Sequence, residues 1–213
     1  METLKDTILQ GNIKLLTLFR NKRFDKATAS QLLAEISDLN EPILSLDGYS
    51  STYLYEAESY NNVDAVRFLL ENGADPNYCN LDLSSWCALD DLHFLWEEMQ
   101  DEATQRLEIA KLFFEYGGNP NLPVDGETLY DHVLWEVFCH DTPHDQEYLR
   151  RFFTLLLAYG GGGGESYAPK PNFTEPIDKS RIDEYAFKIF LCEDGYHLEG
   201  HLFNPDGIDI GIV

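Results

Sequence analysis

The sequence predicts a mostly α-helical fold built from repeated helical hairpins, with a small antiparallel β-meander at its C-terminal end. Three observations carry this. Apolar residues recur three and four apart in paired short segments: Leu54 and Ala57, then Val66, Leu69 and Leu70. Each segment therefore has one narrow apolar helix face. The close of that pair, Leu69 to Asn77, returns 44 residues later as Phe113 to Asn121. From residue 181 the period changes to two: Tyr185, Phe187, Ile189 and Leu191 alternate, as do Tyr196, Leu198 and Leu202, and then Ile208, Ile210 and Ile212.

The stretch Thr52 to Asn77 sets the register for the rest. Asn61-Asn62 interrupts the apolar pattern between its two helices, and Gly73 ends the second one where a left-handed residue costs least. Asp75, Pro76 and Asn77 supply turn chemistry. The segment resembles an ankyrin repeat. The family's T-P-L-H-x-A opening stands here as Thr52, Tyr53, Leu54, Tyr55, Glu56 and Ala57, without its Pro and His, and its L-L-x-x-G-A-D-x-N close stands as Leu69 through Asn77. The resemblance covers residues 50–161 and, more weakly, 3–21. It implies an ankyrin-like helical solenoid of three to four units that acts through protein binding. Its turn tips and concave face would fall near 46–51, 78–85 and 122–127.

In chain order, residues 1–49 read as N-terminal capping helices. Residues 3–21 carry Leu4, Ile8 and Leu9, then Ile13, Leu15, Leu16, Leu18 and Phe19, with Gly11-Asn12 between, as expected of a degraded terminal repeat. A further helix is expected over 28–40, with Ser30 as N-cap and Leu32, Leu33, Ile36 and Leu39 on one face. Asp47-Gly48 reads as the β-turn before the first good repeat. Residues 50–161 hold the repeats. The spacing of 44, against a family period of ~33, places about ten added residues near His93 to Arg106, around a unit that opens at Ala88-Leu89-Asp90-Asp91-Leu92. A third unit opens at Asp125-Gly126-Glu127-Thr128, with Tyr130 and Val133 on its inner face, and closes at Leu155 to Gly161. Its excess, His140 to Asp145, reads as a widened loop because Thr142-Pro143 disfavours a continuing helix. Residues 162–180, rich in Gly and Pro, read as a linker. The run Gly160 to Gly164 is expected to begin with a helix C-cap and continue as a hinge. Residues 181–213 form the three-stranded cap, packed on the last repeat because such a sheet does not bury one apolar face alone.

The formal charge of −23 is unevenly spread. Residues 1–26 set six cationic against three acidic side chains, a net of +3, whereas 27–165 set five against 26, a net of −21. Such a field opposes nucleic-acid binding, which needs clustered Lys and Arg, and favours a basic partner. No apolar run nears the ~20 residues that span a bilayer, and the first residues lack a basic end followed by an apolar stretch. A cytoplasmic monomer that does not engage membranes is expected. Cys79, Cys87, Cys139 and Cys192 include no C-x-x-C pair and are expected to be reduced.

Candidate partner-binding residues are the carboxylates of the stretched units and the aromatics among them: Asp82, Trp86, Asp90, Asp91, Glu97, Glu98, Asp101, Glu102, Asp125, Asp141 and Asp145. Phe94, Trp96, Tyr116, Trp135 and Phe138 read as core or interface anchors, with core favoured at helical spacing. His140-x-x-x-His144 has metal-ligand residue types, but Pro143 argues against the helix that would gather both rings. His197, Glu199 and His201 share a strand face, and burial of the opposite face explains that alternation without a metal. No nucleophile–base pair stands out, and the glycine run lacks the Lys-Ser/Thr of a phosphate loop. The expectation is a non-enzymatic protein-interaction module with no cofactor. It binds a basic protein, in its sharpest form as an immunity-type inhibitor of a toxin; the alternative is a scaffold or regulatory subunit that binds through apolar contacts.

Overall fold

The computed structural model describes residues 4–21, 23–80, 86–93, 101–124, 127–139, 143–162, 170–191 and 198–213. Two compact units share the chain: 1–92 with 101–118, and 93–100 with 119–213. Helical hairpins, short β-ribbons and a C-terminal sheet make it a mixed α and β fold rather than a mostly helical one.

The first unit starts with α1 (Leu4–Phe19), which runs unbroken through Gly11-Asn12. Its Leu15, Leu16 and Phe19 are buried. The second helix, α2 (Lys26–Leu33), starts and stops earlier than the sequence suggests. The carboxylate of Asp25 accepts from the Ala27 and Thr28 amides at 3.0 and 3.1 Å, so Asp25 is the N-cap. Ser30 lies inside the helix and donates to the Lys26 carbonyl. Ile36 and Leu39 fall beyond its end.

A two-stranded ribbon follows, β1 (Ile43–Leu44) with β2 (Ser50–Ser51), turned by Asp47-Gly48 with Gly48 at φ +85°. The hairpin α3 (Tyr53–Ser59) and α4 (Val63–Glu71) comes next. Thr52 Oγ1 caps α3 by accepting from the Tyr55 amide, and Asn62 Oδ1 caps α4 by accepting from Ala65. Asn62 also donates to the Phe19 carbonyl, tying this hairpin to the end of α1. A second ribbon, β3 (Cys79–Asn80) with β4 (Trp86–Cys87), leads into α5 (Ala88–Asp91) and α6 (Ala103–Glu115). Within this unit α3 packs against α1, α4 and α5, and α4 packs against α6. Residues 94–100, which hold much of the expected insertion, lie outside the described residues.

The cysteine expectation needs correction. Cys79 and Cys87 stand opposite each other in the β3–β4 register, with Cα atoms 4.5 Å apart, and form a disulfide. The pair is eight residues apart in sequence, and only the antiparallel ribbon brings the two sulfurs together.

The second unit opens with β5 (Pro123–Val124) and β6 (Glu127–Thr128), then the hairpin α7 (Leu129–Cys139) and α8 (Pro143–Ala158). Thr128 and Asp131 form a reciprocal cap: the Thr128 hydroxyl donates to Asp131 Oδ2 at 2.7 Å and accepts from the Asp131 amide at 3.1 Å. Pro143 does not widen a loop as expected. It is the first residue of α8, where a missing N–H costs nothing. His144 and Asp145 therefore belong to the first turn of a helix, and the extra residues of this unit lengthen its helices to 11 and 16 residues, against 7 and 9 in α3 and α4.

Of the glycine run expected to form a hinge, Gly161 and Gly162 are packed instead, and Gly163 and Gly164 lie outside the described residues. Gly160, at φ +97°, ends α8. At Gly161 a Cβ would stand 2.9 Å from both the Leu156 oxygen and the Tyr130 ring, and at Gly162 it would strike Pro171. Backbone and ring packing thus require these glycines to be bare.

The tail forms a four-stranded antiparallel sheet in the order β7 (Asn172–Phe173), β10 (Asp209–Ile212), β9 (Leu198–Phe203), β8 (Ala186–Leu191). The expected meander is present as β8, β9 and β10, and β7 adds a fourth strand. Phe187, Leu202 and Ile210 are buried, and β8 packs on α8, where the Phe187 ring meets Phe153 edge-on at 5.0 Å. Gly200 lies under the Phe187 ring, which leaves no room for a side chain. A 3₁₀ helix, Lys179–Glu184, also packs on α8, through an Arg151–Asp183 ion pair and the Lys179 ammonium 3.9 Å above the Tyr159 ring.

Candidate protein-interaction surface

Three helices end in the same way. The amides of Ala74, Gly118 and Gly161 bond the carbonyls of Leu69, Phe113 and Leu156 at 3.1, 2.8 and 2.7 Å. Those of Gly73, Gly117 and Gly160, all at φ near +95°, bond the carbonyls of Leu70, Phe114 and Leu157. This is a Schellman close, repeated. The turns after the first two closes carry Asn77 and Asn121, which reach the next close, and Asn40 reaches the turn after the first. Asn40 Oδ1 accepts from the Asp75 amide, Asn77 Nδ2 donates to the Gly117 carbonyl, and Asn121 donates to the Gly160 carbonyl while accepting from the Gly162 amide. Each joint is made to backbone groups of the neighbouring turn.

The first ribbon is the best-described tip. Ser45 and Tyr49 clamp its turn, the Ser45 amide donating to the Tyr49 carbonyl at 2.7 Å and the Tyr49 amide to Ser45 Oγ at 3.0 Å. With the backbone so held, the Tyr49 side chain projects into solvent with 75% of its surface exposed, beside Leu44 at 58%. Asp38, Glu41 and Asp47 are exposed in the same segment. The sequence reading marked Asp47-Gly48 only as a turn; a tyrosine directly after a turn glycine was the available signal.

The candidate residues selected from sequence divide into three groups. Asp82, Glu97, Glu98, Asp125 and Asp141 lie outside the described residues. Trp86 stands in β4 and Asp145 in the first turn of α8. Of the others Asp101 is exposed, whereas Asp90, Asp91 and Glu102 are half-buried. Glu102 accepts from Asn61 Nδ2 at 2.9 Å, linking the α3–α4 turn to the start of α6.

Asp91 belongs to a buried cluster that the sequence reading missed. Arg106 on α6 is fully buried, with Nη1 2.9 Å from Glu58 Oε1 and Nη2 3.3 Å from Asp91 Oδ2 and 2.8 Å from the Asp91 carbonyl. Glu58 on α3 is equally buried. Burial pushes the Glu58 carboxyl up to about 8, against the pull of Arg106, and also raises Asp91 and the Tyr55 hydroxyl. One buried guanidinium thus serves two carboxylates, one fully buried and one half-buried. Neither Glu58 nor Arg106 can touch a substrate, so the cluster is a bolt joining α3, α5 and α6 rather than reaction machinery.

In the second unit, the buried His93 ring meets the His132 ring edge-on at 4.6 Å. His201 places Nδ1 2.6 Å from Asp209 and Nε2 3.6 Å from Glu199, so carboxylates of the sheet face both its nitrogens. His140 and His197 lie outside the described residues. Of the aromatics weighed as anchors, Trp135 on α7 is 66% exposed, Tyr116 is 41% exposed and Phe138 is half-buried. Among the described residues no helix is long and apolar enough to cross a membrane.

No curated protein matches this chain. The family model that matches is the Ankyrin repeat, over residues 50–81, a span that takes in β2, the hairpin α3/α4 and β3. The chain carries an ankyrin repeat, a type of module that mediates protein–protein contacts, centred on the hairpin whose glycine close recurs at Gly117 and Gly160.

Proposed function

We propose that this chain is a non-enzymatic binder of a basic protein, and in the sharpest form an immunity-type inhibitor whose acidic surface occupies the nucleic-acid groove of a toxin nuclease. The observation that carries the reading is the β1–β2 tip, where Tyr49 and Leu44 are exposed in a segment that also exposes Asp38, Glu41 and Asp47, the last paired with Arg20 at 3.4 Å. An exposed aromatic anchor in an acidic segment suits a cationic protein surface. The −21 charge of residues 27–165 supports it. In this reading residues 1–49 cap an ankyrin-like solenoid formed by 50–161, 162–180 connect it to the 181–213 cap, and the protein works as a cytoplasmic monomer. The carboxylates of the stretched units, Asp101 among them, add long-range attraction.

Partners captured from the cell's own lysate are expected to be basic and to release as salt rises from ~0.1 to ~0.5 M, because screening shortens the reach of exposed charge. Tyr49→Ala is expected to weaken capture at least tenfold. Neutral or acidic partners whose binding ignores salt would overturn the reading. A second reading, a scaffold that binds through apolar contacts, draws on the exposed Trp135 and on Leu191, Leu198 and Ile208 of the C-terminal region. Capture unchanged by Asp38→Asn, Glu41→Gln and Asp47→Asn together, but lost with Trp135→Ala, would favour it.

A further inference from the structure

We propose that Cys79 and Cys87 are a reversible thiol–disulfide switch that controls the order of the second ribbon and of α5. The ribbon itself is slight: its ladder is only Cys79 opposite Cys87 and Asn80 opposite Trp86. The ribbons β1–β2 and β5–β6 have the same two-pair ladder and no crosslink, so a disulfide is not needed to build such a ribbon. What distinguishes the second is the residue that starts its helix. Thr52 and Thr128 precede the other two first helices and hold them through hydroxyl caps. Cys87 stands in that place before α5 and makes no cap bond with its side chain. The covalent link to Cys79 takes over the task of the missing hydroxyl.

Access to the two sulfurs is unequal, which sets the direction of the chemistry. Cys87 is buried, at 1% exposure, whereas Cys79 is half-buried. A thiolate from a small thiol such as glutathione, or from a protein dithiol, attacks the Cys79 sulfur. The sulfur–sulfur bond breaks, Cys87 leaves as a thiolate and takes up a proton, and a second thiol displaces the first from Cys79. The net change is one disulfide and two thiols giving two cysteines and one oxidised reductant, a two-electron reduction. Once reduced, the ribbon depends on two ladder pairs and α5 on an uncapped four-residue helix. Because α5 carries Asp91, which contacts the buried Arg106, loosening it also reaches the cluster.

The test equilibrates the full chain in graded ratios of reduced to oxidised glutathione, then alkylates it in denaturant and maps label at Cys79 and Cys87 by peptide mass. The two sites are expected to change together and reversibly between unlabelled and labelled. Amide exchange over 86–91 is expected to be about 50-fold faster in the reduced protein, the loss that opening a loop of this length implies. Labelled cysteines at the most oxidising ratio, a disulfide that survives the most reducing ratio in the folded chain, or equal exchange in both forms would each overturn the switch. A variant combining Cys79→Ser and Cys87→Thr supplies the hydroxyl of the neighbouring units. It is expected to ignore the glutathione ratio and to exchange as slowly at α5 as the oxidised protein; exchange as fast as the reduced protein would overturn the capping argument.

Discussion

The hairpins α3/α4 and α7/α8 begin and end alike and differ in between. Each starts behind a capping threonine, Thr52 or Thr128, and each ends at a glycine near φ +95° whose amide bonds back into the last turn. Yet α3 and α4 are 7 and 9 residues long, and α7 and α8 are 11 and 16. The contrast shows that the termini, where backbone groups lack intrahelical partners, are tightly specified, whereas helix length is free to drift as long as one face stays apolar. A further difference lies inside. The shorter hairpin contributes the fully buried Glu58 to a contact with the equally buried Arg106, while in α7/α8 the Tyr130 and Phe153 rings pack 5.4 Å apart.

The largest expected effect tests that buried contact. Arg106→Ala takes away the guanidinium that both Glu58 and Asp91 contact inside the protein, so a loss of about 3–5 kcal/mol is expected in denaturant unfolding. Replacing Glu58 and Arg106 together by Leu and Met should cost much less, since neither fully buried polar side chain is then left without its partner. The same site sets a pH dependence. Glu58 is raised from 4.5 to about 8 in the folded chain, so between those values the native state holds a proton that the unfolded state has released. Stability is therefore expected to be highest below about pH 4.5 as far as this group is concerned, and to fall as pH rises towards 8. Glu58→Gln should flatten that slope in midpoints measured across the range.

Next come the closes. Gly161→Ala must push both the Leu156 carbonyl and the Tyr130 ring, so a cost of about 1–3 kcal/mol is expected. Gly118→Ala meets the Phe113 carbonyl and only grazes Leu89, and Ala74 already occupies the corresponding place one unit earlier. It should cost less than Gly161→Ala, and equal melting shifts would mean that the ring contact is unimportant. Thr128→Ala removes both halves of the reciprocal cap and should cost about 1 kcal/mol. The smallest effect is expected at the exposed Arg67–Glu108 pair between α4 and α6, where Arg67→Ala should change stability by less than about 1 kcal/mol.

What the sequence revealed follows the same division. The hairpin over 52–77, the Asp47-Gly48 turn and the two-residue period of the tail were legible because they depend on local pattern and turn chemistry. The start of α2 was misplaced because both Asp25 and Ser30 are acceptable caps, and only the fold shows which amides are orphaned. Pro143 was read as a breaker because a proline that opens a helix and one that ends a helix look alike without the neighbouring turn. The cluster of Glu58, Asp91 and Arg106 was hidden for a different reason. Its members are 15 to 48 residues apart, and in a chain with 38 acidic residues no single carboxylate announces that it is inside. The Cys79–Cys87 pair likewise appears only once the ribbon register is known. At the proposed surface, Tyr49 and Leu44 were passed over in favour of residues in the stretched units, several of which are engaged within the protein.

The bonds made by Asn40, Asn77 and Asn121 are addressed to amides and carbonyls, groups that every residue carries. Such a joint is indifferent to the identity of the side chains on the unit it grips. A lineage can therefore rewrite the helices of one unit, stretch them, or exchange the unit for a foreign one without renegotiating the seam, provided that the incoming segment presents its turn at the same height. In that sense the asparagines work as a coupling standard, and the exposed ribbon tips are the parts left free to change.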